Sequence, residues 1–432
     1  MKKILALVLS TIMVMSLVAC GTGTQNETTK APETTVAETQ VIEETTTQPT
    51  IVGKNVKVGV ILVGDENEGY TYSHINGIQN AIKALGLDEK TNVIWKYSIG
   101  ETEACYDACI DLVEQGCNLV VTNSYGHQSY AEQAASENPN VQFVSMTGDT
   151  AKKSGLKNFH NVFTKIYEAR YVGGIVAGLK LKELVDAQKL TEKNYDTDGN
   201  IKIGYVGAYP YAEVVSGYTA FFLGIRSIVQ NVAMDVQYTN SWFNITAESE
   251  AAVALMDRGC VIIGQHADST GAPSACEERL KAGQTVYCVG YNVDMLKAAP
   301  DAALTSPTNN WEVFYEYAIG SVMNNQEFAQ NWAEGYETNS VMITELGSSC
   351  AAGTKEAVDQ AVADIKAGTK HVFDTKTFTV GGAEVKNAFA SDTNGDFTND
   401  ADEAIIDGYY HESYFQSAPS FSLRIDGIKE LN

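Results

Sequence analysis

From residue 55 onward the chain alternates between two hydrophobic rhythms. Short β-branched and apolar runs, bounded by Gly, Asn, Asp or Ser, predict strands at 56–63, 92–98, 119–123, 141–146, 159–164, 202–208, 234–239, 261–265, 285–290, 302–306 and 340–345. Between many of them apolar residues recur every three or four positions. That spacing predicts helices at 73–85, 103–115, 128–136, 167–184, 213–229, 246–258, 273–282, 312–324 and 354–367. Continuously apolar strands separated by helices imply parallel sheets covered on both faces, an α/β fold. A body of about 375 residues exceeds one comfortable core, so two domains are expected. A faint internal echo agrees: "LVEQGCNLVVTNSYGH" (112–127) and "LMDRGCVIIGQHADST" (255–270) share a helix end, a Gly-Cys turn, an apolar strand and a polar loop.

Open α/β sheets bind ligands beyond the carboxyl ends of their strands. The segments to read are therefore 64–74, 122–127, 208–213, 240–244, 264–270, 290–294 and 306–311. The first opens "GDENEGYTYSHING" (64–77), which places rings and carboxylates where a buried core needs neither. Pooled, the loops offer Tyr70, Tyr72, His74, Tyr125, Trp242, Phe243, Asp268, Asn292, Asp294, Asn310 and Trp311. Rings that stack, beside carboxylates and amides that accept and donate hydrogen bonds, suit a flat, polar, ring-containing ligand. Any one of these residues alone serves equally well in packing or in a turn. Glu213, at a helix start, is either a ligand group or a first-turn carboxylate favoured by the helix dipole.

The N-terminus, "MKKILALVLSTIMVMSLVAC", has two lysines before an apolar run too short for a stable span. Residues 1–19 read as a secretory signal peptide. The small residue before Cys20 resembles a bacterial lipobox, so Cys20 is expected to carry a lipid anchor; an unlipidated signal is the alternative. Residues 20–53, rich in Thr and Glu, lack the apolar residues needed for a core and are expected to form a disordered tether.

Thirty Lys and Arg against 54 Asp and Glu give a formal charge of −24, which argues against nucleic acid and against a polybasic membrane contact. The seven cysteines other than Cys20 are odd in number and scattered, which argues against a disulfide framework. Cys105 and Cys109 share a helical face and read as small buried apolar residues. No nucleophile elbow, HExxH, Walker A run or dinucleotide fingerprint occurs, so neither an enzyme nor a cofactor is expected. His74, His127 and His266 were weighed as zinc ligands; hydrogen bonding or capping is the plainer reading. In "DTNGDFTNDADE" (392–403), Asp392, Asn394, Asp396, Asp400 and Glu403 fall on calcium-loop positions 1, 3, 5, 9 and 12. Phe397 stands where that loop wants Gly, and the alternative is a solvated acidic hairpin.

Several segments in order carry a family resemblance: "EGYTYSHINGI" (68–78), "YEARYVGGIVAG" (167–178), "KIGYVGAYPYAEVVSGYTAFFLGIRS" (202–227), "SWFN" (241–244), "IGQHADSTG" (263–271), "VGYNVDM" (289–295) and "TNNWEVFY" (308–315). With them the body resembles the BMP family of PnrA-like substrate-binding lipoproteins of ABC importers. The resemblance implies a type I periplasmic-binding fold: two Rossmann-like lobes joined by three crossovers, near 165, 308 and 335. Lobe 1 would comprise 54–165 plus 308–335, and lobe 2 would comprise 166–307 plus 336–432. It also implies a purine nucleoside or base as ligand, an ABC permease and ATPase as partners, and a monomer on the extracytoplasmic side. A sugar or other small metabolite, or sensing without transport, are the rival readings. The family's stacking aromatic falls on Tyr70, where relatives carry Trp. Trp242 or Phe243 would form another aromatic wall, and Asp268, Asn310 or Trp311 would line the cleft. Relatives often carry Asp at the position of Asn292, which puts ribose recognition in question here.

Overall fold

The computed structural model describes residues 52–390 and 403–432. The calcium-loop candidates Asp392, Asn394, Asp396 and Asp400, like Cys20 and the tether, lie outside these residues. The chain runs β1 (Val58–Ile61), α1 (Gly69–Ala84), α2 (Glu89–Asn92), β2 (Val93–Lys96), α3 (Glu103–Glu114), β3 (Leu119–Thr122), α4 (Gln128–Glu137), β4 (Gln142–Met146), α5 (Ala151–Ser154) and β5 (Phe159–Thr164). Helix α6 (Ile166–Asp186) leads to β6 (Ile201–Gly207), α7 (Ala212–Arg226), β7 (Val232–Tyr238), α8 (Ile245–Asp257), β8 (Ile262–Gln265), α9 (Gly271–Lys281), β9 (Tyr287–Val289) and β10 (Ala303–Thr305). Then follow β11 (Pro307–Asn309), α10 (Trp311–Met323), β12 (Asn331–Glu334), β13 (Val341–Ile343), α11 (Thr354–Lys366), a hairpin of β14 (Ile405–Ile406) and β15 (Tyr409–Tyr410), and β16 (Ile428–Glu430).

Two six-stranded sheets result, in orders β12-β5-β4-β3-β1-β2 and β10-β9-β8-β6-β7-β16, with every pairing parallel. Each sheet with its helices is called a lobe below. Strands such as Val58–Ile61 and Leu119–Thr122 are buried throughout, because helices cover both faces. Taking β6–β10 as counterparts of β1–β5, both sheets read 2-1-3-4-5. A sixth strand is added at opposite edges: β12 beside β5, and β16 beside β7. The sequence echo falls on α3–β3 and α8–β8. Gly116 and Gly259 stand there at φ +83° and +99°, a left-handed turn that glycine enters without a Cβ penalty.

The edge strands β12 and β16 were not anticipated. Only Trp332 of β12 is buried and no residue of β16 is, so neither shows the continuous apolar run of an inner strand. The expected strand 302–306 ends at Thr305, and a separate β11 pairs antiparallel with β13, bringing the second and third passages between the sheets together. Helices α6 and α7 pack backbone to backbone: a Cβ on Gly174 would lie 2.2 Å from the Phe221 carbonyl oxygen, and one on Gly224 2.2 Å from that of Tyr171. This is the Gly/Ala face of "YEARYVGGIVAG".

Candidate functional site

A cavity of about 400 Å3 opens where the carboxyl ends of the two sheets meet. Its wall takes residues from beyond almost every inner strand. Gly64 follows β1, Ser98 follows β2, Asn123, Ser124 and Tyr125 follow β3, and Thr147 follows β4; Tyr209 follows β6, Trp242 and Phe243 follow β7, His266 and Asp268 follow β8, and Tyr291 follows β9. The two lobes touch here, since a Cβ on Gly69 would sit 3.0 Å from the Asp268 carbonyl oxygen.

In lobe 1 the switch point between β1 and β3 is held by Asn123. Its Oδ1 accepts the Val63 N–H at 2.7 Å, and its Nδ2 donates to the Thr71 hydroxyl at 3.2 Å. The Thr71 hydroxyl in turn donates to Glu68, the residue before α1. Burial raises the Glu68 pKa, and the Thr71 hydrogen bond opposes the shift. Glu101 accepts the Ser124 hydroxyl at 2.6 Å and the Gly126 N–H at 3.0 Å, which orders the loop carrying Tyr125. Tyr70, the second residue of α1, presents its ring to the cavity, and its hydroxyl is buried without a partner.

In lobe 2 the equivalent position, the second residue of α7, is Glu213. Burial raises its pKa to about 7, with the Arg170 guanidinium pulling the other way. Burial, and then Arg170, depress His266 well below the ordinary histidine range. The neutral ring therefore meets Glu213 through Nε2, 3.3 Å from Oε1, as a hydrogen bond rather than an ion pair. Arg170 is buried behind this floor. Its Nη1 donates to the Tyr205 hydroxyl at 2.6 Å and the Gln265 carbonyl at 2.9 Å, and its guanidinium lies 3.7 Å from the Tyr291 ring centroid. Asp268 accepts from Asn292 Nδ2 at 2.5 Å. Burial, reinforced by Glu68, Glu248 and Glu213, raises the Asp268 pKa well above the carboxylate range.

Of the twelve residues nominated from the sequence, Tyr70, Tyr125, Glu213, Trp242, Phe243 and Asp268 line the cavity; the other six do not. Tyr72 faces outward, 42% exposed. His74 and Trp311 are buried between α1 and α10, stacked at 4.4 Å, with His74 Nδ1 2.8 Å from the Tyr315 hydroxyl. They stand behind the wall, since the His74 ring meets Tyr70 edge-on at 4.5 Å. Asn292 is buried behind Asp268, where an Asp would set two carboxylates against each other. Asp294 is exposed and accepts the Leu296 N–H at 2.9 Å, and Asn310 Nδ2 donates to the Asn339 carbonyl at 3.0 Å on a passage between the sheets. The three histidines weighed for zinc are apart: His127 Nε2 lies 2.9 Å from the Ile99 carbonyl oxygen, and no metal-binding cluster occurs among the described residues. Glu403, the one described member of the acidic loop, accepts the Ala388 and Ile405 N–H groups at 2.8 and 3.0 Å.

Sequence reading missed Ser98, Glu101 and Thr147, although the strand-end rule applied to β2 and β4 finds them. It also passed over Glu68, Asn123, Tyr209 and Tyr291 inside segments it had marked, and named His266 only as a zinc or hydrogen-bonding candidate. A backbone signature accompanies these ends. Ser98, Thr147, Asn240 and Asn292 all adopt left-handed φ of +54°, +62°, +55° and +61°, at matching places after strands 2 and 4 of each lobe. Such conformations in residues other than glycine cluster at ligand sites, and for β-branched Thr147 the strain is real.

Comparisons with known proteins agree with this architecture. The Bmp family, described as ABC transporter substrate-binding protein PnrA-like, matches residues 55–370. A purine-binding protein of Brucella abortus is 29% identical over 322 residues, spanning 74% of this chain and 83% of that protein. A putative ABC transporter glucose-binding protein of Haloferax volcanii is 30% identical over 241 residues, spanning 56% and 55%. Among solved structures, an ABC transporter solute-binding protein of Conexibacter woesei superposes with a TM-score of 0.57 at 18% identity, over 73% of this chain and 98% of that one, which shows the periplasmic-binding fold. The family is one of substrate-binding proteins rather than enzymes. With its match running through both lobes and the cleft between them, this chain belongs to the Bmp family of PnrA-like ABC transporter substrate-binding proteins.

Proposed function

We propose that the cleft captures a purine nucleoside or purine base for import by an ABC permease, from a protein held at the membrane by lipid on Cys20. The observation that carries the ligand reading is the composition of the wall. Six aromatic rings (Tyr70, Tyr125, Tyr209, Trp242, Phe243 and Tyr291) share one 400 Å3 cavity with the carboxyl groups of Asp65, Glu68, Glu101, Glu213 and Asp268, and no Lys or Arg among the described residues lines it. Rings stack on a flat heterocycle, while carboxylates accept from its N–H edge and from ribose hydroxyls. The volume falls within the ~300–1,000 Å3 range of small-molecule pockets. The relative named as purine-binding supports the same reading.

A sugar is the second reading, favoured by the relative named as glucose-binding and by the same pairing of rings with carboxylates. Isothermal titration of adenosine, guanosine, inosine, their bases and glucose against the purified protein decides between them. Saturable binding of a purine compound with no heat from glucose supports the proposal, and the reverse overturns it. For the anchor, Cys20→Ala is expected to move the protein into the soluble fraction. Unchanged membrane fractionation, with no fatty-acid label on the parent, overturns that part. No helix among the described residues is long and apolar enough to cross a membrane.

A further inference from the structure

A second cavity, also about 400 Å3, lies between α6, the C-terminal end of α7 and residues 370–377, and it carries the opposite charge. Its lining includes Arg226, Lys370 and Lys376 with Gln230, Ser227 and Thr377, and no carboxylate among the described residues. In a chain with 54 acidic against 30 basic residues, three cations on one wall, with Asp426 acting on Arg226 alone from outside the lining, need a reason. Like charges around one space repel, partly screened by solvent here, and an entering anion would relieve that repulsion.

One structural explanation is that the cations neutralise the negative end of α7. The hydrogen bonds speak against it. The last α7 carbonyls already accept from the chain that follows, Leu223 from Ser227 N–H at 3.0 Å and Ile225 from Val229 N–H at 2.9 Å. Arg226 instead turns to residues far along the chain, donating to the Thr377 carbonyl and, at 3.4 Å, to that of Asp426. The Asp426 carboxylate, held by the Thr379 hydroxyl and the Gly381 and Gly382 N–H groups, offsets part of the Arg226 charge, so the uncompensated charge rests on the two lysines. Lys370 rests its ammonium 5.0 Å from the Tyr171 ring centroid, and neither Lys370 nor Lys376 pairs with a described carboxylate. The Ser227 and Thr377 hydroxyls are spent on the Gly224 and Asp374 carbonyls. Two ammonium groups and the Gln230 amide therefore remain to meet an incoming oxyanion.

We propose that this cavity is a second binding site, separate from the cleft, for a small oxyanion of the phosphate class, free or as a phosphomonoester. A phospholipid headgroup shares the chemistry, but a body with this excess of negative charge is repelled by an anionic bilayer. The test is titration with inorganic phosphate and with glycerol 3-phosphate at fixed ionic strength, read by calorimetry and by melting temperature, which rises when a ligand binds the folded state. Saturable binding of one anion per chain is expected, and Lys370→Gln with Lys376→Gln should weaken it at least about tenfold, the loss of one to two charge-assisted contacts. Titration of the cleft with a purine nucleoside, unchanged in the double variant, shows that the fold is intact. Should that variant not fold, Gln230→Glu at the exposed rim serves instead, with the same expected loss. Absence of saturable anion binding to the parent, affinity unchanged in the variants, or binding confined to phosphatidylglycerol vesicles would each overturn the proposal.

Discussion

The two lobes repeat one plan and fill it with different chemistry. Both order their strands 2-1-3-4-5, both turn left-handed after strands 2 and 4, and both set a cleft residue at the second position of the helix after strand 1. In lobe 1 that residue is Tyr70, amid a wall of amide, hydroxyl and carboxyl groups: Asn67, Glu68, Ser98, Glu101, Asn123 and Thr147. In lobe 2 it is Glu213, amid rings: Tyr209, Trp242, Phe243, His266 and Tyr291. Tyr125 adds a ring to lobe 1 and Asp268 a carboxyl to lobe 2, but at this one matched point the two lobes exchange character. Topology decides where a side chain reaches the cleft, and the residue written there decides what it does, so matching folds need not share ligands.

The sharpest way to break this comparison is to remove the ring from each side. Tyr70→Ala and Trp242→Ala are each expected to weaken purine binding ten- to a hundredfold, about 1–3 kcal/mol for one stacked base. Tyr70→Trp should hold or improve it. Equal affinity in Tyr70→Ala and the parent, by isothermal titration, would leave Tyr125 as the one lobe 1 ring able to stack.

Asp268→Asn should cost about tenfold, more than Tyr70→Phe, because an NH2 group replaces one of the two carboxyl oxygens, of which Asn292 already holds one, while the phenylalanine keeps the stacking ring. A larger loss in Tyr70→Phe would mean that the buried phenol hydroxyl carries recognition.

Protonation separates the lobes further. If the ligand donates to ionised Glu213, affinity should rise up to about tenfold between pH 6 and pH 8, as a group titrating near 7 loses its proton, and Glu213→Gln should flatten the profile. Folding responds with the opposite sign. Burial raises Glu213 and Glu168 from 4.5 to about 7, so the unfolded chain releases these protons first. The stability they contribute is full below pH 4.5 and is lost as pH rises toward 7. The melting temperature of the parent relative to Glu213→Gln should therefore fall from pH 5 to pH 7; buried His74 and His160, held to about 3 and about 4, contribute with the opposite sign in both proteins and leave the difference unchanged.

The smallest effect is expected at the left-handed strand ends. Thr147→Gly relieves a strained β-branched residue and should change stability by no more than about 1 kcal/mol in urea unfolding. Asn292→Gly, at the matching place in lobe 2, removes the partner of Asp268 and should weaken ligand binding severalfold as well. Identical behaviour of the two would show that the shared backbone, rather than the residue, governs both ends.

Helices and inner strands were legible because their signal is local. A buried strand must be apolar residue after residue, and a covering helix must repeat its apolar face every three or four positions, so α3, α4, α7, α10 and α11 lie within a few residues of their expected spans. The strand-end rule then reached Tyr70, Tyr125, Trp242, Phe243 and Asp268, because chain order places the end of each parallel strand at one edge of its sheet. Local pattern could not separate Tyr70 from Tyr72 and His74, which share one short segment. Helix α1 starts at Gly69, four residues before its expected start, and its rotation sends the first ring to the cavity, the second to solvent and the third to Trp311. Nor could it show β12 and β16, whose edge positions require little burial, or the gathering of Arg226, Lys370 and Lys376, which come from segments some 145 residues apart. Composition and periodicity determined the α/β class and the line along which a ligand site must lie. Only tertiary packing decided which side chains meet, because a contact depends on helix rotation and on the return of distant chain, and neither leaves a repeating mark in the sequence.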